Sequence, residues 1–211
     1  MPWAAIGRIN RESGGFCTGV LIGPNKALTA AHCLWNSRAR RWLPPDALRF
    51  VAGWRSGTYT QHARATGFKI QPGLSISGRG RPNRLADDWA IVELDRPIGA
   101  SVGFVPLASM EEGLATRQKR GEPVLYTAAY STDRPNLLQS HTKCSPHMAV
   151  SKTAVMMHDC DLTFGASGAP ILIRDKDGYR VVAVQVAVVR NTWQERGIAA
   201  IPHLDRILAA R

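Results

Sequence analysis

Three short stretches carry side chains suited to acyl transfer. In Cys160-Asp-Leu-Thr-Phe-Gly-Ala-Ser-Gly-Ala-Pro170, small residues (Gly165, Ala166, Gly168, Ala169) crowd around Ser167. Such a run lets the backbone turn sharply and lets neighbouring N–H groups converge on one point. A hydroxyl beside converging N–H donors is what a serine nucleophile and its oxyanion site require. Gly/Ala/Ser runs also occur in ordinary turns, so this stretch gains meaning only beside two others. Leu28-Thr-Ala-Ala-His-Cys33 supplies an imidazole, and Asp87-Asp-Trp-Ala-Ile-Val-Glu-Leu94 supplies a carboxylate. The chain thus offers His32, Asp88 and Ser167 in that order: a base, an orienting acid and an alcohol.

The elements that must position these groups read mainly as strands. Short apolar or alternating runs recur between Gly, Pro and Asn, and helical periodicity is scarce. Strands are expected at Phe16–Ile22, from Ala27, at Leu48–Gly53, Tyr59–Ile70 and Asp88–Leu94. Further strands are expected at Glu122–Tyr130, Leu137–Cys144, Ala154–Cys160, Ala169–Arg174 and Tyr179–Val189. Asp175-Lys-Asp-Gly178 reads as a hairpin turn. The run Val181–Val189 is apolar enough for a central strand buried on both faces. Residues 71–83 turn to Gly, Ser, Pro and Arg and read as an exposed loop. Residues 108–121 are polar and basic and read as a connection between lobes. The expectation is an all-β chain of two antiparallel six-stranded barrels packed together, forming a single domain over 1–211. Lobe one would span about 1–107 and lobe two about 122–211, with a short terminal helix starting near His203. His32 and Asp88 then belong to the first lobe and Ser167 to the second, so the site forms at their junction.

Composition narrows the class. Of 211 residues, 45% are hydrophobic and 20% charged, the balance of a globular chain. No apolar run reaches the roughly 20 residues of a membrane span. The start, Met1-Pro-Trp-Ala-Ala-Ile, lacks a basic segment followed by a long apolar one, so the expected chain is a mature form without its leader. Four cysteines fall into two pairs of equal separation, Cys17 with Cys33 and Cys144 with Cys160. The even count and matched spacing favour two bridges over four buried thiols. Bridges imply an oxidising compartment, secreted or periplasmic. The net charge is +11, with basic clusters at Arg38/Arg40/Arg41, Arg79/Arg81/Arg84 and Arg117/Lys119/Arg120. These clusters are a solvated face or a means of meeting anionic surfaces. No recognition helix or aromatic-basic pattern suggests specific nucleic-acid binding. Oligomeric state is not readable.

The three motifs resemble those of the chymotrypsin-like serine peptidases, particularly the compact bacterial branch that includes glutamyl endopeptidases. Thr29-Ala-Ala-His-Cys33 is similar to the histidine motif of that family, with Cys17 where its bridge partner would stand. Asp88-Trp-Ala followed by an apolar strand is similar to the aspartate motif, and Gly165-Ala-Ser-Gly-Ala-Pro170 to the serine motif. The order His, Asp, Ser differs from that of subtilisin and the α/β-hydrolases, and Ala169 breaks the Gly-x-Ser-x-Gly elbow. The resemblance runs from residue 16 to about 202. It implies hydrolysis of protein or peptide substrates through an acyl-enzyme, with no cofactor and no metal. Ser167 would be nucleophile, His32 general base, Asp88 its orienting partner, and the N–H groups of Gly165 and Ser167 the oxyanion site. Ala166 stands where secreted trypsin-type zymogens carry an aspartate, so that activation ion pair cannot form. Asp161 occupies the slot of the carboxylate that selects Arg or Lys, while Gln185, Val186, Ala187 and Val188 would form the pocket wall. An Arg/Lys preference is the first expectation and a small or apolar residue the second. A glutamate preference is disfavoured, because this strand lacks the histidine used for it.

Two other readings compete. A catalytically inactive protein of the same fold would use its basic surface for binding. A zinc module could draw on His141, Cys144, His147, His158 and Cys160, which have metal-ligand types at workable intervals. A Cys144–Cys160 bridge would abolish it.

Overall fold

The computed structural model describes residues 2–109, 125–150, 154–190 and 195–201. Lobe one contains β1 (Ile6–Arg11), β2 (Phe16–Gly23), β3 (Lys26–Thr29), β4 (Trp35–Asn36), β5 (Arg41–Trp42), β6 (Leu48–Ala52), β7 (Gln61–Ile70) and β8 (Ala90–Leu94). Six of these close into an antiparallel barrel in the order β1-β2-β3-β8-β7-β6, and β4 and β5 form a separate small hairpin. Closure leaves no unpaired edge. Inward residues such as Ile6, Ile9, Leu21, Leu28, Leu48 and Phe50 are fully buried and fill the barrel. Burying each contributes roughly 1.5–3 kcal/mol.

Lobe two contains β9 (Leu125–Ser131), β10 (Arg134–Cys144), β11 (Pro146–Val150), β12 (Val155–His158), β13 (Pro170–Asp175), β14 (Gly178–Arg190) and β15 (Glu195–Ala200). They form one curled seven-stranded sheet in the order β10-β9-β13-β14-β15-β12-β11. The sequence suggested six strands here, and the seventh has a simple origin. The two edge strands, β10 and β11, are consecutive in the chain and separated only by Ser145. Pro146 has no N–H to continue a ladder. The Cys144–Cys160 disulfide and the paired bonds Ser145 N–H to Asp159 Oδ1 (2.6 Å) and Asp159 N–H to the Ser145 carbonyl (3.2 Å) carry the chain round this corner. One bent stretch therefore serves both edges of the curl.

The lobes share packing. Ala128, Leu172, Val181 and Val184 of lobe two join the same apolar cluster as the lobe-one barrel. Val181 to Val186 is buried throughout, which agrees with a central strand, while Val189 is 43% exposed. Chain leaving lobe one runs beside β14 through a parallel bridge between Leu107 and Val181. Most of the expected connection at 108–121, the basic cluster at Arg117, Lys119 and Arg120, and the terminal helix near His203 lie outside the described residues. None of the described helices is long and apolar enough to cross a membrane.

Candidate active site

His32 sits in a short 3-10 turn, Ala31–Leu34, immediately after β3. The turn is fixed by a disulfide from Cys33 to Cys17 on β2. Asp88 lies between the turn Leu85–Asp87 and β8 and is completely buried. Its two oxygens are both engaged by residue 32. Oδ1 accepts the backbone N–H at 2.8 Å, and Oδ2 lies 2.7 Å from the ring Nδ1. A carboxylate only accepts, so Nδ1 carries the proton and Nε2 is the ring's basic nitrogen. The neighbouring Asp87 is turned to Arg84 instead, at 2.5 Å. Only one of the two adjacent aspartates therefore faces the imidazole.

Ser167 lies in the turn between Phe164 and Gly168. Gly165 (φ +95°) and Gly168 (φ +84°) adopt left-handed conformations that L side chains rarely take. At Gly168 the space is also closed, because a Cβ would run into the Thr18 carbonyl and the Thr29 hydroxyl. The turn is stitched to both lobes. Gly168 N–H donates to the Gln185 carbonyl (2.7 Å), and Thr18 N–H of β2 donates to the Ser167 carbonyl (2.9 Å). Thr18 Oγ1 accepts from Tyr130 N–H at 3.0 Å and lies 3.2 Å from the Gly165 carbonyl. Thr29 Oγ1 donates to the Thr18 carbonyl at 2.7 Å. Sequence reasoning missed Thr18 and Thr29, since threonine in a strand looks like any β-former. Among the described residues, the N–H groups of Gly165 and Ser167 donate to no protein acceptor.

His32 and Ser167 line one pocket of about 310 Å³ together with Thr163, Phe164, Gln185, Val186, Ala187 and Val188. No hydrogen bond joins His32 Nε2 to Ser167 Oγ. All four expected wall residues from Gln185 to Val188 are present in the lining. Asp161 is not among these lining residues. The Cys144–Cys160 bridge and a 2.6 Å bond from Asp161 N–H to His141 Nδ1 hold this segment so that Leu162 is buried and Asp161 is exposed. Asp161 opens on a neighbouring cavity lined also by Asp133, Ser131 and His141. Among the described residues, the lining of the Ser167 pocket contains no carboxylate.

Behind the wall stands a polar chain. Cys160 N–H donates to His158 Nδ1 at 3.2 Å, so the ring proton is on Nε2, which donates to Gln185 Oε1 at 2.7 Å. The Gln185 amide then donates to the Ala187 carbonyl at 2.6 Å. His158 is fully buried, and its ring occupies the space a side chain at Gly197 would need. Burial pushes its pKa down to about 4, against an opposing contribution from Gln185. Tyr130, whose hydroxyl donates to the Trp54 carbonyl at 3.1 Å, is pushed up to about 12, again chiefly by burial.

The zinc reading does not survive. Cys144 and Cys160 are bonded to each other, His147 pairs with Asp159 at 2.9 Å, and His158 faces Gln185. Among the described residues, the one compact set of ligand types is Cys17, His32 and Cys33, and its two sulfurs are joined as a disulfide.

Comparison with known proteins bears on family and fold. The Trypsin family model matches residues 1–200. A glutamyl endopeptidase of Bacillus licheniformis is 26% identical over 172 residues, 81% of this chain and 49% of its own length. The chain thus spans about half the length of that curated relative. Among solved structures, a Glu endopeptidase in complex with MPD superposes with a TM-score of 0.74 at 22% identity, covering 99% of this chain and 90% of its own. A thermostable serine protease, AL20, from an extremophilic microorganism gives 0.68 at 14% identity, with 94% and 91% covered. At these identities the structures bear on fold.

Proposed function

We propose, from the premise that this chain belongs to the trypsin family, that it is a secreted serine endopeptidase acting through an acyl-enzyme. The observation carrying this reading is the buried Asp88 gripping both the backbone and Nδ1 of His32 beside the pocket that holds Ser167. Ser167 Oγ attacks the substrate carbonyl while His32 Nε2 takes its proton. The same imidazole then delivers that proton to the leaving amine, and Asp88 stabilises the imidazolium. The Ser–His bond is made when substrate closes the site, since catalytic hydrogen bonds are often long in a ligand-free enzyme. The N–H groups of Gly165 and Ser167 hold the oxyanion, each supplying roughly 3–4 kcal/mol. Water then hydrolyses the ester by the reverse sequence. Two disulfides fit an oxidising compartment outside the cytosol.

The pocket selects against Arg and Lys. A buried cation needs a paired carboxylate, and the lining offers an amide and aliphatic side chains instead. The bond from His158 uses the Gln185 oxygen, and one N–H of its amide goes to the Ala187 carbonyl, which leaves the second N–H as the polar end. That favours a substrate side chain ending in an acceptor, or an apolar one, and the glutamyl endopeptidase among the relatives points the same way.

A fluorophosphonate probe followed by cleavage-site profiling tests both parts. Labelling that disappears in Ser167→Ala supports the nucleophile. Absence of labelling in folded protein supports the binding-protein reading instead. Cuts concentrated after Arg or Lys would overturn the specificity argument.

A further inference from the structure

Two basic clusters that are far apart in sequence meet on the surface of lobe one. The β4–β5 hairpin carries Arg38, Arg40 and Arg41, and the loop before Asp88 carries Arg79, Arg81 and Arg84; all six are exposed. The two turns touch. An added Cβ at Gly78 would lie 3.4 Å from Arg40 Nε, and one at Gly80 would lie 3.1 Å from Ser37 Oγ.

Both supports are ordered. Asn36 Oδ1 accepts the N–H groups of Arg38 and Ala39, each at 3.0 Å, and Trp35 packs edge-on against Trp42. In the loop, Ile76 bridges Pro82, Ser77 N–H donates to the Arg81 carbonyl at 2.8 Å, and the side chains of Leu74 and Ile76 are buried. Guanidinium groups on such frames need little reordering to engage a ligand.

Their charges are uncompensated. Arg49, Arg96 and Arg180 elsewhere pair with Glu12, Asp95 and Asp175, and Arg84 pairs with Asp87. Among the described residues, Arg38, Arg40, Arg41, Arg79 and Arg81 have no acidic partner. Five unpaired like charges on one face repel one another, and the repulsion is relieved by an anionic ligand. The patch also rides on the segments that leave His32 and enter Asp88. At most about 14 Å of chain separates the Cα atoms of Arg84 and Asp88.

We propose that this arginine patch is a docking surface for acidic residues of a polypeptide substrate, flanking the bond to be cut. The proposal rests on the peptidase reading above. Planar guanidinium groups suit carboxylates, and the origin of both turns on the segments that carry His32 and Asp88 favours a substrate over an anionic polymer held elsewhere.

The test uses the full chain carrying Ser167→Ala and two fluorescent peptides, one with a run of Asp and Glu and one with Asn and Gln in their place. Binding is read by anisotropy at low and high salt. The acidic peptide is expected to bind about tenfold more tightly at low salt, the sum of several exposed pairs, and to lose this margin at high salt. The R38Q/R40Q/R79Q/R81Q variant should lose the margin with its affinity for the neutral peptide intact. No preference, or a preference retained in that variant, overturns the proposal. So does a loss of heparin affinity in the variant with unchanged peptide affinity, which assigns the patch to a non-substrate polyanion. Fluorophosphonate labelling of the unsubstituted protein reports separately on the triad. Labelling without a peptide preference sinks the patch alone, whereas a preference without labelling sinks the peptidase and supports acidic-polypeptide docking.

Discussion

The buried imidazole of His158 makes the fold sensitive to acid in a defined window. Its Nδ1 accepts from Cys160 N–H and its Nε2–H donates to Gln185, so the neutral ring is fully satisfied. A second proton would have to sit on Nδ1, facing a donor, in a site closed by Gly197. Asp159 favours that charge, whereas His147 and His141 oppose it, and burial outweighs them all. The folded pKa is about 4, against 6.5 for a free ring. Between those values the unfolded chain binds a proton that the native state refuses. Stability from this group is therefore constant above the unfolded value and falls as pH drops towards 4. At 1.36 kcal/mol per unit, the full window costs about 3 kcal/mol. The assay is urea unfolding of Ser167→Ala protein, which cannot digest itself, at a series of pH values. His158→Gln in the same background should flatten the curve by about 3 kcal/mol over this window. Should that variant fail to fold, the His158 ring-proton shift followed by NMR gives the same information. A folded-state midpoint near 6.5 would refute the argument.

Other consequences are open to direct measurement. Asp88→Asn keeps the shape but permits the wrong tautomer of His32, so kcat should fall by about 10⁴ with little change in KM; a kcat within tenfold of the unsubstituted protein's, in a variant whose melting point shows it folded, would refute the role. Gly168→Ala forces a side chain into Thr18 and Thr29 at φ +84°, and should lower stability by about 2–4 kcal/mol in chemical denaturation. Replacing Cys144 and Cys160 by serine opens a loop of sequence separation 16 and should cost about 3 kcal/mol. Because that bridge also holds the segment bearing Leu162, the melting point and the cleavage-site profile should both change.

How far the sequence could be read followed the range over which each feature is determined. His32, Asp88 and Ser167 could be singled out as a candidate triad because they sit in short local motifs, and because a base, an acid and an alcohol must be of those types. The closed barrel was legible from short apolar runs such as Phe16–Gly23 and Leu48–Ala52, most of whose residues are buried. Ile6–Arg11 escaped notice because Gly7, Arg8 and Asn10 dilute its pattern, although it pairs with both β2 and β6. Glu195–Ala200 was missed for a similar reason: only its apolar end resembles a strand, and its place between β14 and β12 is tertiary. Loop 71–83 is largely exposed, as read, but Gln71, Leu74 and Ile76 are buried and its internal ladder depends on Asn83 reaching back to Ser75 and Gly73. The pocket was hardest. Asp161 occupies the sequence slot of a specificity carboxylate, yet its direction is set by a disulfide to Cys144 and a bond to His141 twenty residues away. Gln185 was expected in the pocket wall, but its orientation comes from His158 on another strand, which the sequence does not mark. Residue type at a motif position thus fixes which chemistry is available, whereas substrate choice depends on where long-range bonds aim the side chain. Here those bonds leave Asp161 exposed beside a second cavity and fix the amide of Gln185 through His158.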